Sequence, residues 1–177
     1  RPLRVLPPAH LGFGRPLRVL PPAHLGFGPV SAFYVHQLGL SERLSEIFSH
    51  FSNGSVQRKI SKAVHEGVWC EEGRSSQLIS EFYRLLLLTR RRHQIPPQPI
   101  EWFQSLANCL GEAFKVRVAF KDGRPIASIV TLQSARAMVY KYGCSDDVHW
   151  NLGGMQLLLW KAIQESAGNR CSYFDFG

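Results

Sequence analysis

AMVYKYGCSDDVHWNLGGMQLLLWKAIQESAGNRCSYFDF, residues 137–176, is the stretch whose reading decides the fold. Ala137 to Tyr142 reads as a strand, and Gly143 to Gly154 as a polar loop. A helix is expected from Met155 to about Ser166, and Cys171 to Phe176 reads as a second strand. Along the helix Met155, Leu158, Leu159, Ala162 and Ile163 share one face, while Gln156, Lys161, Gln164 and Glu165 are expected in solvent. Two strands joined through a helix in one sheet run parallel, by a right-handed crossover. A helix that opens just after Gly153 and Gly154 leaves its first backbone N–H groups without partners, aimed where an anion would sit. Gly153, Gly154 and Met155 are therefore the candidate contacts to the phosphate of a donor molecule.

Upstream of this unit lies a meander. Phe114, Val116, Val118 and Phe120 alternate with Lys115, Arg117 and Ala119, the period of a half-buried strand. Asp122-Gly123 is the strongest hairpin signal in the chain, Ile126 to Leu132 is the return strand, and Ala137 to Tyr142 the third. Two helices precede the meander. One opens at Ser76, runs to about Arg92 and buries Leu78, Ile79, Phe82, Leu85 and Leu86; Arg90, Arg91, Arg92 and His93 at its end suit the negative pole of the helix dipole. The other spans Ile100 to Leu110, with Trp102, Phe103, Leu106 and Leu110 expected inside.

Nearer the N-terminus, Ser31 to His36 reads as a short strand, and Ser41 or Ser45 is expected to cap a helix reaching Phe51. Ser55 to Glu66 is a basic amphipathic helix, with Val56, Ile60, Ala63 and Val64 on the apolar face and Arg58, Lys59 and Lys62 turned elsewhere, as a solvated face or, in the competing reading, a contact to phosphate or RNA. Gly67 ends it, and Val68 to Glu72 follows as a strand. The order is α+β with a mixed central sheet flanked by helices: hairpin neighbours antiparallel, the last crossover parallel.

The sequence RPLRVLPPAHLGFG occurs twice without change, as residues 1–14 and 15–28. Three prolines per copy make it a linker-like segment, with residues 29–177 as the folded domain. There is no initiator Met, so the expectation is a piece of a longer or processed protein, incomplete at both ends.

A hydrophobic fraction of 45% across 177 residues is enough for one buried core. The formal charge is +8, but Arg1, Arg4, Arg15 and Arg18 fall in the first 28 residues, which hold no acid; the rest carries 17 basic against 13 acidic residues. That suits an anionic cofactor or a polyanionic partner without demanding either. Cys70, Cys109, Cys144 and Cys171 form no C-x-x-C pair and no metal-ligand spacing with histidine, so reduced thiols and no metal are expected. No apolar run is long enough to span a membrane. The expected location is the cytoplasm, including the inner face of the membrane.

The element order resembles the GNAT acyltransferase fold, and more closely the Fem-type peptidoglycan aminoacyltransferases and the BioF2-like acetyltransferase domains. The resemblance rests on residues 57–67 (QRKISKAVHEG), Glu81-Phe-Tyr-Arg84 leading to residues 89–93 (TRRRH), residues 121–127 (KDGRPIA), residues 140–146 (YKYGCSD) and residues 174–177 (FDFG), in that order, over roughly Phe33 to the end. It implies an N-acyltransferase, with acyl-CoA or aminoacyl-tRNA as donor. The acceptor would be an amine on a small molecule, cell-envelope precursor or polysaccharide. It also implies a second GNAT-like half in the full-length protein. The sequence departs from the GNAT signature: residues 150–155 (WNLGGM) lack the Arg or Gln ahead of Gly-x-Gly or Gly-x-Ala, as Fem-type proteins also do. A GNAT-like scaffold that binds without turnover is the competing class.

Acyl transfer to an amine needs a proton acceptor. Asp146 and His149 on the Gly-marked loop are candidates for the base or for acceptor contact, and Asp175 for the base or a structural carboxylate. Tyr140 and Tyr142, two apart on a strand, are expected on the same side, as cleft wall or substrate contact. Arg91 and His93 lie near where GNAT-like proteins admit the acceptor; guanidinium recognition of carboxylate or phosphate competes there with plain dipole compensation. Cys144 is the remaining nucleophile, with no base positioned by sequence to activate it.

Overall fold

Asp122 and Gly123 both have positive φ, 50° and 74°, as the two central residues of a type I′ hairpin require. That turn joins β3 (Phe114–Lys121) to β4 (Arg124–Gln133), with Lys121 opposite Arg124. The computed structural model describes residues 35–177, and the duplicated segment 1–28 lies outside them. Within that span the order is β1 (Gln37–Gly39), α1 (Leu44–His50), α2 (Arg58–His65), β2 (Trp69–Gly73), α3 (Ser76–Arg92), α4 (Ile100–Leu110), β3, β4, β5 (Ala137–Ser145), α5 (Gly154–Gly168) and β6 (Tyr173–Asp175). The six strands form one mixed sheet in the order β1-β6-β5-β4-β3-β2. Only the β5–β6 pair is parallel, as a crossover through α5 dictates.

The sheet is covered on both faces. Against one face α3 and α4 pack Phe82, Leu85, Leu86 and Phe103 on Phe114, Val116, Val118 and Val130. Against the other, α1, α2 and α5 bring Ile47, Ile60, Leu158 and Ile163 onto Ala127, Ile129, Met138 and Phe174. Ser75 caps α3 by accepting from the Leu78 amide at 3.2 Å, one residue ahead of the expected start.

Several expectations shift, each for a reason outside the local sequence. Of the strand expected over 31–36, residues 31–34 lie outside the described residues; the strand present is Gln37–Gly39, placed by its pairing with β6, Gln37 opposite Asp175. Neither Ser41 nor Ser45 caps α1. Arg43 is its N-cap, and its amide donates to the Glu46 carboxylate at 3.1 Å. The other end is closed by Gln57, whose side-chain amide donates to the carbonyls of Phe48 and Phe51 at 2.9 and 2.8 Å. Val64 is 63% exposed, because α2 turns Ile60 and Ala63 inward instead. On α4 only Phe103 and Ala107 are buried, and Trp102 and Leu110 remain 48% and 40% exposed.

The largest departure is Arg117. Strand alternation places it opposite the Val116–Val118 face, and that face is covered by α5, so the side chain is fully buried. Its charge is met from three directions: Glu72 of β2 at 3.0 Å, Thr131 of β4 at 2.7 Å, and Glu165 of α5 in direct contact. Glu165 also accepts from Lys115 at 2.5 Å, so it is a partner of the sheet and not the solvated residue expected. Burial pulls the guanidinium pKa down, and Glu72 works against that. Removing one member of a buried ion pair typically costs about 3–5 kcal/mol, whereas replacing the pair with apolar side chains is far better tolerated. Arg117→Met should therefore lower the urea midpoint by that equivalent, and Arg117→Met with Glu165→Met should recover much of it. Equal losses in both variants would mean the pairing is not what matters.

Candidate functional site

Two features of the backbone build the site. The first is a bulge in β5. Val130 faces Tyr142 across the β4–β5 ladder, yet the next residue of β4, Thr131, faces Tyr140, so Lys141 is an extra residue. The bulge reverses the facing of everything beyond it. Tyr140 packs with the α5-side core, while Tyr142 packs with the α3–α4 side. The expectation that the two tyrosines share a side is thus overturned. Tyr142 accepts a hydrogen bond from Trp102 Nε1 at 3.4 Å and meets the Phe103 ring edge-on. Tyr140 lies over Gly143, where a methyl group would overlap its hydroxyl; burial, then the neighbouring Cys144, push its phenol pKa up.

The second feature is the entry to α5. Gly153 has φ of 76° and sits so close to α2 that a Cβ would overlap the Lys59 carbonyl oxygen. Only glycine satisfies both conditions. The first intrahelical bond of α5 runs from the Leu157 amide to the Gly153 carbonyl at 3.0 Å, so the amides of Gly154, Met155 and Gln156 have no acceptor within the helix. They open onto a cleft of about 120 Å³ lined by Lys59, Ile126, Ala127, Ser145, His149, Trp150, Gly154, Met155 and Gln156. Lys59 also lies over the exposed indole of Trp150, its ammonium 5.8 Å from the ring centroid, within cation–π range.

His149 is the titratable wall of this cleft. Its Nδ1 lies 2.9 Å from Asp146 Oδ2, and Asp146 Oδ1 accepts from the Val148 amide at 3.0 Å. Burial works against the Asp146 charge, but the hydrogen bonds from His149 and from the Val148 backbone outweigh it and hold the carboxyl below its ordinary value. An ionised carboxylate only accepts, so Nδ1 carries the proton, and Nε2 is the nitrogen left for a ligand. The Asp146 backbone is fixed as well, its amide donating to the Ile126 carbonyl at 2.9 Å.

The structure brings Asp146, His149, Gly154 and Met155 together, with Gly153 behind them as the packing contact to α2. It does not bring the other expected residues. Asp175 lies opposite Val139, seven residues back from Asp146 along β5 and so roughly 20 Å away at the rise of a strand. Its carboxylate accepts from Gln37 at 3.3 Å and from the Gly177 amide at 2.9 Å. Arg91 and His93 are exposed; Arg91 borders a separate open groove with Leu87, Arg90 and Ile95. The side chains of α3 that do reach the site are Thr89 and Arg92, both bonded to Ser145. Sequence reasoning missed these two; it offered Lys59 only as one of three cations on a basic helix, as a solvated face or a phosphate or RNA contact, without placing it at this cleft. A polar Thr two turns past Phe82, on the otherwise apolar inward face of α3, was the available signal.

A family model described as an acetyltransferase (GNAT) domain matches residues 53–177. The chain belongs to the GNAT acetyltransferase family. The match takes in α2, the whole β2–β5 sheet, α5 and β6, and so every element that lines the cleft. One curated relative of this GNAT chain is the UDP-N-acetylmuramoylpentapeptide-lysine N(6)-alanyltransferase of Weissella viridescens, 28% identical over 93 residues, which is 52% of this chain and 28% of that protein. Among solved structures, FemX has a TM-score of 0.74 at 10% identity, over 81% of this chain and 52% of that one. The C-terminal domain of a putative lysylphosphatidylglycerol synthetase from Agrobacterium fabrum has a TM-score of 0.60 at 13% identity, over 81% and 45%. At such identities the structural likeness shows the fold alone. The chain spans about half the length of these structures, or less, and under a third of the curated relative.

Among the described residues no helix is long and apolar enough to cross a membrane, and no group of three or more His, Cys, Asp or Glu side chains is placed to hold a metal. Cys144 is buried with its thiol 3.6 Å from the Phe82 and Ser128 carbonyls, and burial drives its pKa far up; burial also pushes Cys70 up to about 11. Neither supplies a thiolate near neutral pH. A thiol-titrating reagent should accordingly modify exposed Cys109 first, and Cys144 and Cys171 only on unfolding; fast modification of Cys144 in the native chain would contradict this packing.

The Asp146 geometry also carries a pH signature. A carboxyl held below its unfolded value, near 3.8, contributes stability that is fully present above that pH and is lost as pH falls through the folded value. Asp146→Asn removes that contribution. Below pH 4, stability should fall less steeply in the variant than in the parent, as read from urea midpoints on acidification.

Proposed function

We propose that this GNAT chain belongs to an N-acyltransferase that moves an acyl group, acetyl or aminoacyl, onto an amine of a cell-envelope precursor or polysaccharide. The observation that carries the reading is the Asp146–His149 pair at the wall of the cleft into which the first turn of α5 opens. An amine attacking an ester or thioester carbonyl forms a C–N bond and must lose a proton as the C–O or C–S bond breaks. His149 Nε2 accepts that proton and returns it to the departing oxygen or sulfur. Asp146 holds the imidazole in the required tautomer and offsets the positive charge it acquires.

The amides of Gly154 and Met155, with Lys59 beside them, suit a phosphate of the donor. The donor is acyl-CoA or aminoacyl-tRNA. A cleft of about 120 Å³ admits one phosphate group or the end of an arm, well short of the several hundred Å³ that a whole small-molecule ligand fills. That size fits either donor only through its reacting end. The alanyltransferase relationship supports the aminoacyl alternative, in which the product is an interpeptide bridge of peptidoglycan. The proposal extends to a second GNAT-like half in the full-length protein, in keeping with a chain that spans 52% of FemX.

Ligand binding to the folded state alone raises its stability, so thermal unfolding separates the donors. Acetyl-CoA at high concentration should raise the midpoint if it is the donor. A rise given only by aminoacyl-tRNA and suppressed by salt would select the tRNA. With the donor that binds, Asp146→Asn and His149→Ala should each reduce turnover by about 10²–10⁴-fold, the usual worth of a positioned base. Binding without turnover in the parent chain would reassign it as a scaffold.

A further inference from the structure

Ser145 is the last residue of β5 and lines the cleft, and Asp146 follows it directly. The Asp146 amide is held by β4 through the Ile126 carbonyl. The polar groups of Ser145 itself are met by two side chains of α3. The Thr89 hydroxyl accepts from the Ser145 amide at 3.1 Å and donates to the Ser145 carbonyl at 3.3 Å. Arg92 places both terminal nitrogens 3.4 Å from the same carbonyl, and one of them 3.5 Å from the Thr89 hydroxyl. One side chain thus satisfies both backbone groups of Ser145, as a neighbouring strand would. Thr89 is partly buried, 56 residues away in sequence and on the far face of the sheet from α5.

We propose that Thr89, assisted by Arg92, is a positioning residue for the Asp146–His149 pair, fixing the peptide from which the Asp146 side chain departs. The Asp146 carboxylate is aligned by two bonds within its own turn, to His149 and to the Val148 amide, and that turn hangs from Ser145 and Asp146. With the Ser145 end released, the turn pivots on the single Ile126 bond and both alignments loosen. The charged groups nearby are Asp147, whose side chain also hydrogen-bonds the Asp146 carboxyl, Arg92 of α3 at the Ser145 carbonyl, and Lys59 of α2, which lines the same cleft as His149; of these only Arg92 belongs to the hold itself.

The test needs no substrate. Thr89→Val keeps the β-branched shape and deletes the hydroxyl; Thr89→Ser keeps the hydroxyl. In the full 177-residue chain, the Asp146 carboxyl is titrated by carbon-detected NMR. The Asp146 value should rise toward that of an unpaired aspartate in Thr89→Val and stay depressed in Thr89→Ser. An unchanged Asp146 titration in a folded Thr89→Val overturns the proposal, whatever happens to its melting temperature, since loss of packing alone would lower the melting point and leave the carboxyl where it was. Should Thr89→Val fail to fold, Arg92→Lys, which keeps the charge and removes the two-pronged guanidinium contact to the Ser145 carbonyl, decides the matter: a smaller rise of the Asp146 value supports the hold, and no change overturns it. Calling this positioning rests on Asp146 and His149 being the proton-handling pair. If that reading alone were wrong, Asp146→Asn would keep full turnover while Thr89→Val still shifted the titration.

Discussion

The closest approach between Gly153 and the Lys59 carbonyl is the constraint on which the cleft depends. Two helices from opposite ends of the domain meet there backbone to backbone, which requires a residue with no side chain and a left-handed φ at that one point. The contact does two things at once. It sets where α5 begins, and so where its unpartnered amides point; and it brings the Lys59 side chain to the rim beside them. At the other end of the same helix Glu165 is bound to Arg117 and Lys115. α5 is therefore fixed at one end by steric contact and at the other by charge, with Leu157, Leu158, Ala162 and Ile163 buried between.

Much of the architecture was legible because it follows from periodicity and turn chemistry. The 2-residue alternation of β3, the Asp122-Gly123 turn, the apolar stripe of α3 and the parallel crossover through α5 all depend on neighbours in sequence. What could not be read is what depends on partners far away. Arg117 sits in an ordinary alternating strand; only Glu72, 45 residues earlier, and Glu165, 48 later, make its burial tolerable. The bulge at Lys141 leaves no mark on composition, since Tyr-Lys-Tyr alternates as a regular strand does, yet it sends Tyr142 to the opposite face. Trp102 and Leu110 are apolar at helical spacing, but α4 rests on the sheet by Phe103 and Ala107, so neither is buried.

The site divides along the same line. Asp146 and His149 could be singled out because they are three apart on one polar loop, and the glycines because they precede a helix. Their grouping survives in the structure. Arg91 and His93 were chosen through resemblance to a fold, and Asp175 only as a carboxylate on the last strand; no local pattern placed any of them near the loop, and each lies elsewhere. Thr89 and Lys59 show the converse. A threonine on the buried side of a helix and a lysine in a basic run both have ordinary structural explanations, and only the sheet edge at Ser145 and the contact at Gly153 give them a place at the site.

The dimensions of the cleft bear on how a transferase of this kind would work. A site of phosphate size contributes little affinity by itself, and a group it holds exchanges rapidly unless the rest of the donor is bound elsewhere. Binding energy from those remote parts is what lowers the barrier at the reacting centre, provided that centre is rigidly placed. Rigidity is what the surroundings supply. Asp146 is tied to β4 by its amide, to its own turn by both carboxylate oxygens, and to α3 through Ser145, so the sheet, the loop and one covering helix converge on one residue. The exposed part of the same neighbourhood is different in kind: Val148 and Trp150 stand 73% and 71% in solvent at the tip of the loop. A carboxylate–imidazole pair held from several sides beneath an exposed rim of Val148 and Trp150 is the arrangement that the proposed proton transfer calls for.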